Sequence, residues 1–170
     1  KGNYEAEKVS ETISPSMDIQ IASNFERLIF DLNNEDAVQT SQDMKKIKDS
    51  GKYLLNAQIL NKINENFLSA RLSEKETLEV ISTVYKEFSV VLDPHTAIGY
   101  GAFDKHDLNG NNIVLSTAHP SKFPDAIFKA IKTKSDLPNE LRYILNEKEN
   151  YDIIENDVEK IKQHIKDRIQ

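Results

Sequence analysis

The stretch Ile113-Val114-Leu115-Ser116-Thr117-Ala118-His119-Pro120 joins a short apolar run to an abrupt polar turn. A continuous apolar run of this length is typical of a strand that is buried on both faces in a parallel sheet. We therefore predict a buried strand at 113–116, with Thr117 at its carboxyl end. Ligands of open α/β sheets bind beyond the carboxyl ends of the strands, so the polar turn is a candidate binding site.

Helical patterns lie on both sides of this strand. Asp93-Pro94 predicts the start of a helix that runs to about Asp104, because aspartate caps helices and proline suits their first turn. On the other side, Phe123, Ile127 and Ile131 fall on one face of a second helix. Helix, buried strand and helix in this order predict an α/β fold at the edge of a mainly parallel sheet.

The first half of the chain also has helix signals. The Ser-x-x-Glu spacing of a capping box occurs at Ser23–Glu26 and again at Ser73–Glu76, and predicts helices at about 23–33 and from 73 onward. A polar helix is predicted from Asp36 to Ser50, where Gly51 ends it.

Other segments are less regular in pattern. Residues Val9–Ser14 alternate weakly and predict a short strand before Pro15. Residues Tyr53–Asn66 are ambiguous, although the apolar residues in this segment suit a helix, and Phe67–Leu72 could extend as a strand. A narrow apolar stripe predicts a last helix near Ile154–Ile165.

Composition excludes several functions. A chain of 170 residues indicates one domain, and its net charge of -6 disfavours a nucleic-acid surface, which needs a basic face. There is no cysteine, which excludes thiolate catalysis and fits a reducing, cytoplasmic location. No apolar run is long enough for a membrane span, and the N-terminus has neither a signal peptide nor a starting Met, which suggests a fragment.

The sequence patterns do not indicate a metal site or a hydrolase site. The histidines lack the spacing of a helical metal pair, and Asp104, His106 and Asp107 are better explained as a solvated helix end. The loop from Asp107 resembles a fragment of a calcium site but lacks its glycine and its terminal glutamate. No Gly-x-Ser-x-Gly motif occurs, so Ser116, His119 and Asp93 do not indicate a hydrolase. We predict no metal site.

Three short segments have polar residues that a core does not require. They are Ser14-Pro15-Ser16-Met17-Asp18, Asp93-Pro94-His95-Thr96-Ala97 and Ser116-Thr117-Ala118-His119-Pro120. A purely structural role is possible for each one: Asp93 as a helix cap, Thr117 in a turn, and His119 bonded to the backbone in the core.

Together, the three segments resemble motifs of threonine synthases of the bacterial and fungal type, in the same order. The first motif extends into Ser23-Asn24-Phe25-Glu26-Arg27, and the resemblance covers about residues 2–132. It implies the helix-rich C-terminal portion of a fold-type II, tryptophan-synthase-β-like enzyme. On this basis, 1–134 is the C-terminal part of the cofactor domain, and 135–170 is a charged helical tail.

The resemblance also implies a function. Threonine synthases are lyases that use pyridoxal phosphate to convert O-phospho-L-homoserine and water to L-threonine and phosphate. Thr117 matches the threonine whose hydroxyl faces the pyridine nitrogen of the cofactor. Asp18, Asn24, Arg27, Ser116 and His119 match neighbouring motif positions without an assigned role.

The lysine that forms the Schiff base lies upstream of these motifs in the family. We therefore predict no catalytic residue in this chain and no activity for the chain alone. Two alternatives stay open: a threonine-synthase-like phospho-lyase on the same fold, and a helical interaction module that binds a partner through the Ile154–Ile165 stripe. The sequence gives no oligomeric state.

Overall fold

The computed structural model describes residues 2–106 and 108–169. The chain divides into two compact units, the first ending at Asp136 and the second beginning at Leu137. In chain order, the first unit contains β1 (Asn3–Glu5), α1 (Phe25–Leu32), α2 (Ala37–Ser50), β2 (Lys52–Leu54), α3 (Ala57–Asn66), α4 (Glu74–Phe88), α5 (Pro94–Asp104) and α6 (Pro124–Ile131).

One apolar cluster joins the small sheet to α1 and α2. Its buried members are Ile29, Ile47 and Tyr53. Strands β1 and β2 pair antiparallel, with Tyr4 opposite Tyr53. The Tyr4 ring stacks on Phe25 with a centroid distance of 4.5 Å, which fixes the sheet against the start of α1.

A second apolar cluster lies between α4, α5 and α6. Ile81, Ala97 and Ile127, one from each helix, are fully buried there. Gly101 allows α4 and α5 to approach closely, because a Cβ at this position would lie 3.0 Å from Val80 Cγ2 and only 2.4 Å from Leu72 Cδ2. This packing fixes the beginning of α5, where the second motif lies.

Several predicted helices are confirmed. Helix α2 begins after Asp36, which accepts from the Gln39 N–H, and ends at Gly51 with a left-handed φ of 68°. The Ser73–Glu76 capping box is present at the start of α4. Asp93 caps α5, which ends at the predicted Asp104. The ambiguous segment from Tyr53 to Asn66 is the end of β2 followed by α3.

The capping box that we predicted at Ser23–Glu26 is absent, so this prediction is wrong. Helix α1 begins after Asn24, and no side chain caps it. Asn24 already has the helical angles φ -69° and ψ -16°, whereas a capping residue needs an extended backbone. The chain enters α1 through a turn in which the Phe25 N–H donates to the Ala22 carbonyl. The Ser23 side chain therefore does not cap the helix.

The strand predictions are also wrong. Residues 9–14 and 67–72 have no regular structure, and neither does 113–116. Ile113 and Leu115 are 88% and 75% exposed, so the segment that we predicted to be buried lies at the surface. Within the described residues the only sheet is the antiparallel β1–β2 pair, and no parallel strand lies beside 113–116 to cover it.

The second unit is helical and largely exposed. It contains a 3₁₀ segment at Asn139–Asn146 and helix α7 at Val158–Ile169. Surface ion pairs such as Lys162–Glu159 at 2.7 Å stabilise α7, each by a small amount. The predicted stripe faces solvent, with Ile161 and Ile165 40% and 51% exposed.

Candidate functional site

The Asp93 carboxylate is the centre of a buried hydrogen-bond network at the start of α5. It is 1% exposed and accepts bonds from the backbone N–H groups of His95 at 2.9 Å and Thr96 at 3.4 Å. The His95 ring and the Thr96 hydroxyl bond to its two oxygens as well. A buried carboxylate is costly without such partners, and here every donor comes from the first turn of its own helix.

His95 connects this carboxylate to the first motif. Its Nδ1 lies 2.9 Å from Asp93 Oδ1, and its Nε2 lies 3.2 Å from the backbone nitrogen of Ser16. The Ser16 N–H donates, so Nε2 accepts and the ring proton is on Nδ1, directed at Asp93. The ring also packs against Phe123, with 4.8 Å between centroids. His95 is therefore held in one orientation between two motifs.

Thr96 connects the same carboxylate to the third motif. Its hydroxyl donates to Asp93 and accepts from the Thr117 N–H at 3.0 Å. The hydroxyl oxygens of Thr96 and Thr117 are 3.4 Å apart. Two hydrogen-bonded side chains thus join segments that are far apart in the sequence.

The three motifs line one cavity of about 360 Å³. Met17 comes from the first motif, His95 and Gly99 come from α5, and Leu115 and Thr117 come from the third motif and the run before it. Thr117 itself is exposed, so its hydroxyl is accessible to a ligand in the cavity.

Two residues of the first motif line a different cavity. Asn24 and Arg27 lie in a larger hollow of about 570 Å³ beside α1 and α2. Asp18 lines neither of these two cavities; its carboxylate accepts from the Thr12 N–H at 2.7 Å and the Thr12 hydroxyl at 2.8 Å. We take the smaller cavity as the candidate site, because it is the one that joins all three motifs.

Ser116 and His119 flank Thr117 and are exposed. His119 Nδ1 accepts from the Ser121 N–H at 3.2 Å and lies 2.7 Å from the Ser121 hydroxyl. The ring therefore caps the short turn at Pro120–Lys122, and it does so at the surface rather than in the core.

Sequence reasoning missed the roles of His95 and Thr96. The available signal was an aspartate cap followed, two and three residues later, by side chains that can donate to it. Their partners, Ser16 and Thr117, are 79 and 21 residues away. Local patterns do not specify contacts over such distances.

The sequence also led us to consider metal sites and a membrane span. Across residues 2–106 and 108–169, no three His, Asp or Glu side chains form a group that could hold a metal ion. Asp107 lies outside the described residues, and so does the calcium-loop alternative that begins there. In the same described ranges, no helix is long and apolar enough to cross a membrane.

Comparison with known proteins identifies the fold. Residues 96–165 match the family model "Threonine synthase, C-terminal". A solved structure of pyridoxal-phosphate-bound threonine synthase from Brucella melitensis superposes with a TM-score of 0.80 at 36% identity, covering 98% of this chain and 36% of that one. The fold is that of a helix-rich portion of a pyridoxal-phosphate enzyme.

Proteins that are similar in sequence indicate the same family. The chain is 35% identical to threonine synthase of Pseudomonas aeruginosa over 161 residues, which is 93% of this chain and 34% of that protein. It is 32% identical to human Threonine synthase-like 1 over 136 residues, covering 78% of this chain and 18% of that protein. The chain belongs to the threonine synthase family, and it spans about a third of the length of the threonine synthase of Pseudomonas aeruginosa.

Proposed function

We propose that this chain forms the C-terminal part of a threonine synthase, a cytoplasmic lyase that converts O-phospho-L-homoserine and water to L-threonine and phosphate. The observation that supports this most directly is the cavity, in which segments from three separate motifs meet around the hydroxyl of Thr117. The net charge of -6 favours a small-molecule substrate over a nucleic acid.

The cavity suits one end of the cofactor. Phe103, Val114 and Leu115 give it an apolar lining, and Thr117 offers a single hydroxyl. A neutral hydroxyl suits an unprotonated pyridine nitrogen, which accepts one hydrogen bond. Among the described residues, no lysine lines this cavity, and the resemblance to threonine synthases implies a Schiff-base lysine upstream of these motifs.

These features suggest separate roles for the cofactor and for the side chains of this chain. Bound pyridoxal phosphate supplies the electron sink of the reaction. Thr117 would hold the ring by donating to its nitrogen, and unlike a carboxylate it would not keep that nitrogen protonated. Asp93 and His95 hold the surrounding segments in place through their hydrogen bonds.

The test is a chimera that joins this chain to the part of the Pseudomonas aeruginosa enzyme that the chain does not match. We expect phosphate release from O-phospho-homoserine, with threonine formed in equal amount. Thr117→Val should lower the rate about ten- to a hundredfold, because an unpartnered buried polar group costs about 1–3 kcal/mol and each 1.36 kcal/mol is about tenfold. Thr117→Ser is the matched control and should retain most of the activity.

The chain alone is the negative control. After incubation with pyridoxal phosphate and reduction with borohydride, mass spectrometry should find no stoichiometric pyridoxyl-lysine. A site-specific adduct on one lysine would show that the covalent attachment point lies in this chain. Full activity of Thr117→Val in the chimera would show that its hydroxyl does not face the cofactor.

A second candidate is a threonine-synthase-like phospho-lyase on the same fold, and the chain is also similar to a protein that is named Threonine synthase-like 1. An enzyme that eliminates phosphate from the γ-carbon without adding water at the β-carbon releases phosphate but forms no threonine. The ratio of threonine to phosphate in the same assay therefore separates the two functions.

A further inference from the structure

The hydroxyl of Thr96 has only one proton, and its direction decides what Thr117 can do. The Thr96 hydroxyl bonds to Asp93 Oδ2, and the Asp93 carboxylate already receives three other donors. An ionised carboxylate only accepts, so the Thr96 proton points at Asp93. Toward Thr117 the Thr96 oxygen therefore presents lone pairs alone.

This leaves Thr117 as the donor on both of its contacts with Thr96. Its N–H donates to Thr96 Oγ1 at 3.0 Å, a normal hydrogen bond. Its hydroxyl lies 3.4 Å from the same oxygen, which is longer than the usual range for a bond between hydroxyl groups. The backbone of Thr117 is thus fixed, while its hydroxyl proton is held weakly.

We propose that Thr96 is a positioning residue for Thr117. Anchored by Asp93, it fixes the Thr117 main chain and leaves the Thr117 hydroxyl free to donate to a ring nitrogen in the cavity. The functional half of this inference rests on the proposed function, because it takes the ligand to be pyridoxal phosphate. The geometric half concerns this chain only and can be tested without cofactor.

The first experiment measures amide hydrogen exchange in the 170-residue chain by NMR. The Thr117 amide should exchange more slowly than the amides of Leu115 and Ser116, whose backbones have no hydrogen bond among the described residues. Thr96→Val should raise the Thr117 exchange rate roughly tenfold, whereas Thr96→Ser should preserve the protection. Equal exchange at Thr117 and Leu115 in the unaltered chain would overturn the inference, even if the valine variant fails to fold.

The second experiment is a double-variant cycle in the chimera. If Thr96 acts through Thr117, Thr96→Val should lower kcat about tenfold in the parent but have little further effect beside Thr117→Val. Serine at position 96 should restore kcat. Additive losses would instead indicate a general structural role for Thr96 and would contradict the inference.

Different results would contradict the proposed function and the proposed role of Thr96. An inactive chimera, or an active one that is indifferent to Thr117→Val, counts against the proposed function and leaves the exchange result standing. Loss of the exchange pattern in the chain counts against the role of Thr96, whatever the chimera does.

Discussion

Tyr53 of β2 and Asp43 of α2 form a buried pair. Burial, followed by the hydrogen bond to Asp43 and the charge of that residue, raises the pKa of Tyr53 to about 12. Burial also acts to raise the pKa of the Asp43 carboxyl. Its hydrogen bonds outweigh burial and lower that pKa overall; their donors are Lys46, Gln39, Tyr53 and Asn33.

We expect this pair to make the fold sensitive to alkali. The pKa of Tyr53 is higher in the folded chain than its ordinary value of 10, so the stabilisation is complete below pH 10 and is lost as the pH rises toward 12. At pH 11 the loss is at most roughly 1.4 kcal/mol, since this pH lies about one unit above the ordinary pKa and one pKa unit is about 1.36 kcal/mol. Urea unfolding at pH 8 and pH 11 measures it.

The variant Tyr53→Phe removes both the hydrogen bond to Asp43 and the group that titrates. At pH 8 it should cost about 0.5–1.5 kcal/mol through the lost hydrogen bond, and at pH 11 the difference from the parent should shrink. Tyr151→Phe alters a residue that is 71% exposed and should leave both values unchanged. An identical pH dependence for the parent and Tyr53→Phe would show that Tyr53 is not the sensitive group.

At the residue scale, the sequence predicted the polar turn at Thr117 but not its connections. The cap at Asp93 is a local effect, because an aspartate side chain reaches the N–H groups two and three residues ahead. The bond from Thr117 to Thr96 depends on how α4, α5 and α6 pack, which no local pattern specifies.

Among the helices, the Ser-x-x-Glu spacing forms a capping box at one helix start and none at another. Ser73 and Glu76 form a complete capping box, and Lys105 adds a bond of 2.7 Å to Glu76. Ser23 and Glu26 have the same spacing, yet Ser23 caps nothing. Ser73 has an extended backbone with ψ of 163°, whereas the chain reaches α1 through a turn. The backbone leading into the helix, and not the spacing, decides whether the serine caps.

The two serines therefore make a matched experiment. Ser73→Ala should lower the free energy of unfolding by about 1 kcal/mol, because the Glu76 N–H loses its acceptor. Ser23→Ala, in the same sequence context, should change it by no more than about 0.5 kcal/mol. Urea unfolding of both variants at neutral pH checks this. Equal losses in the two variants would mean that α1 is capped by Ser23 after all.

The pH dependence of α4 gives a further control. Hydrogen bonds from Lys105, and then from Ser73, lower the pKa of Glu76 to about 2. A lowered pKa means that this stabilisation is present above the ordinary value of 4.5 and is lost as the pH falls toward 2. The difference between the parent and Ser73→Ala should therefore be smaller at pH 2 than at pH 7.

At the scale of the whole molecule, helices were easier to predict than strands. A helix satisfies its backbone hydrogen bonds within one segment, so caps and periodicity specify most of α2, α4 and α5. A buried strand requires neighbours on both edges and both faces. The chain covers 36% of the Brucella threonine synthase, and its described residues place no strand beside 113–116. The apolar run there has the composition of a buried strand without the surroundings of one.

Because Ile113 and Leu115 are exposed, polar side chains should be tolerated at both positions. Ile113→Thr combined with Leu115→Thr should change the free energy of unfolding of the chain by no more than about 0.5 kcal/mol, because both side chains already lie in solvent. Ile127→Thr is the matched control: Ile127 is 0% exposed in the second apolar cluster, and its replacement should cost about 2 kcal/mol or more. The double variant should also bind less of an apolar dye than the parent, since it removes exposed aliphatic surface. If the double variant is destabilised as much as Ile127→Thr, residues 113–116 are buried in solution, and the strand predicted from the sequence exists in the isolated chain.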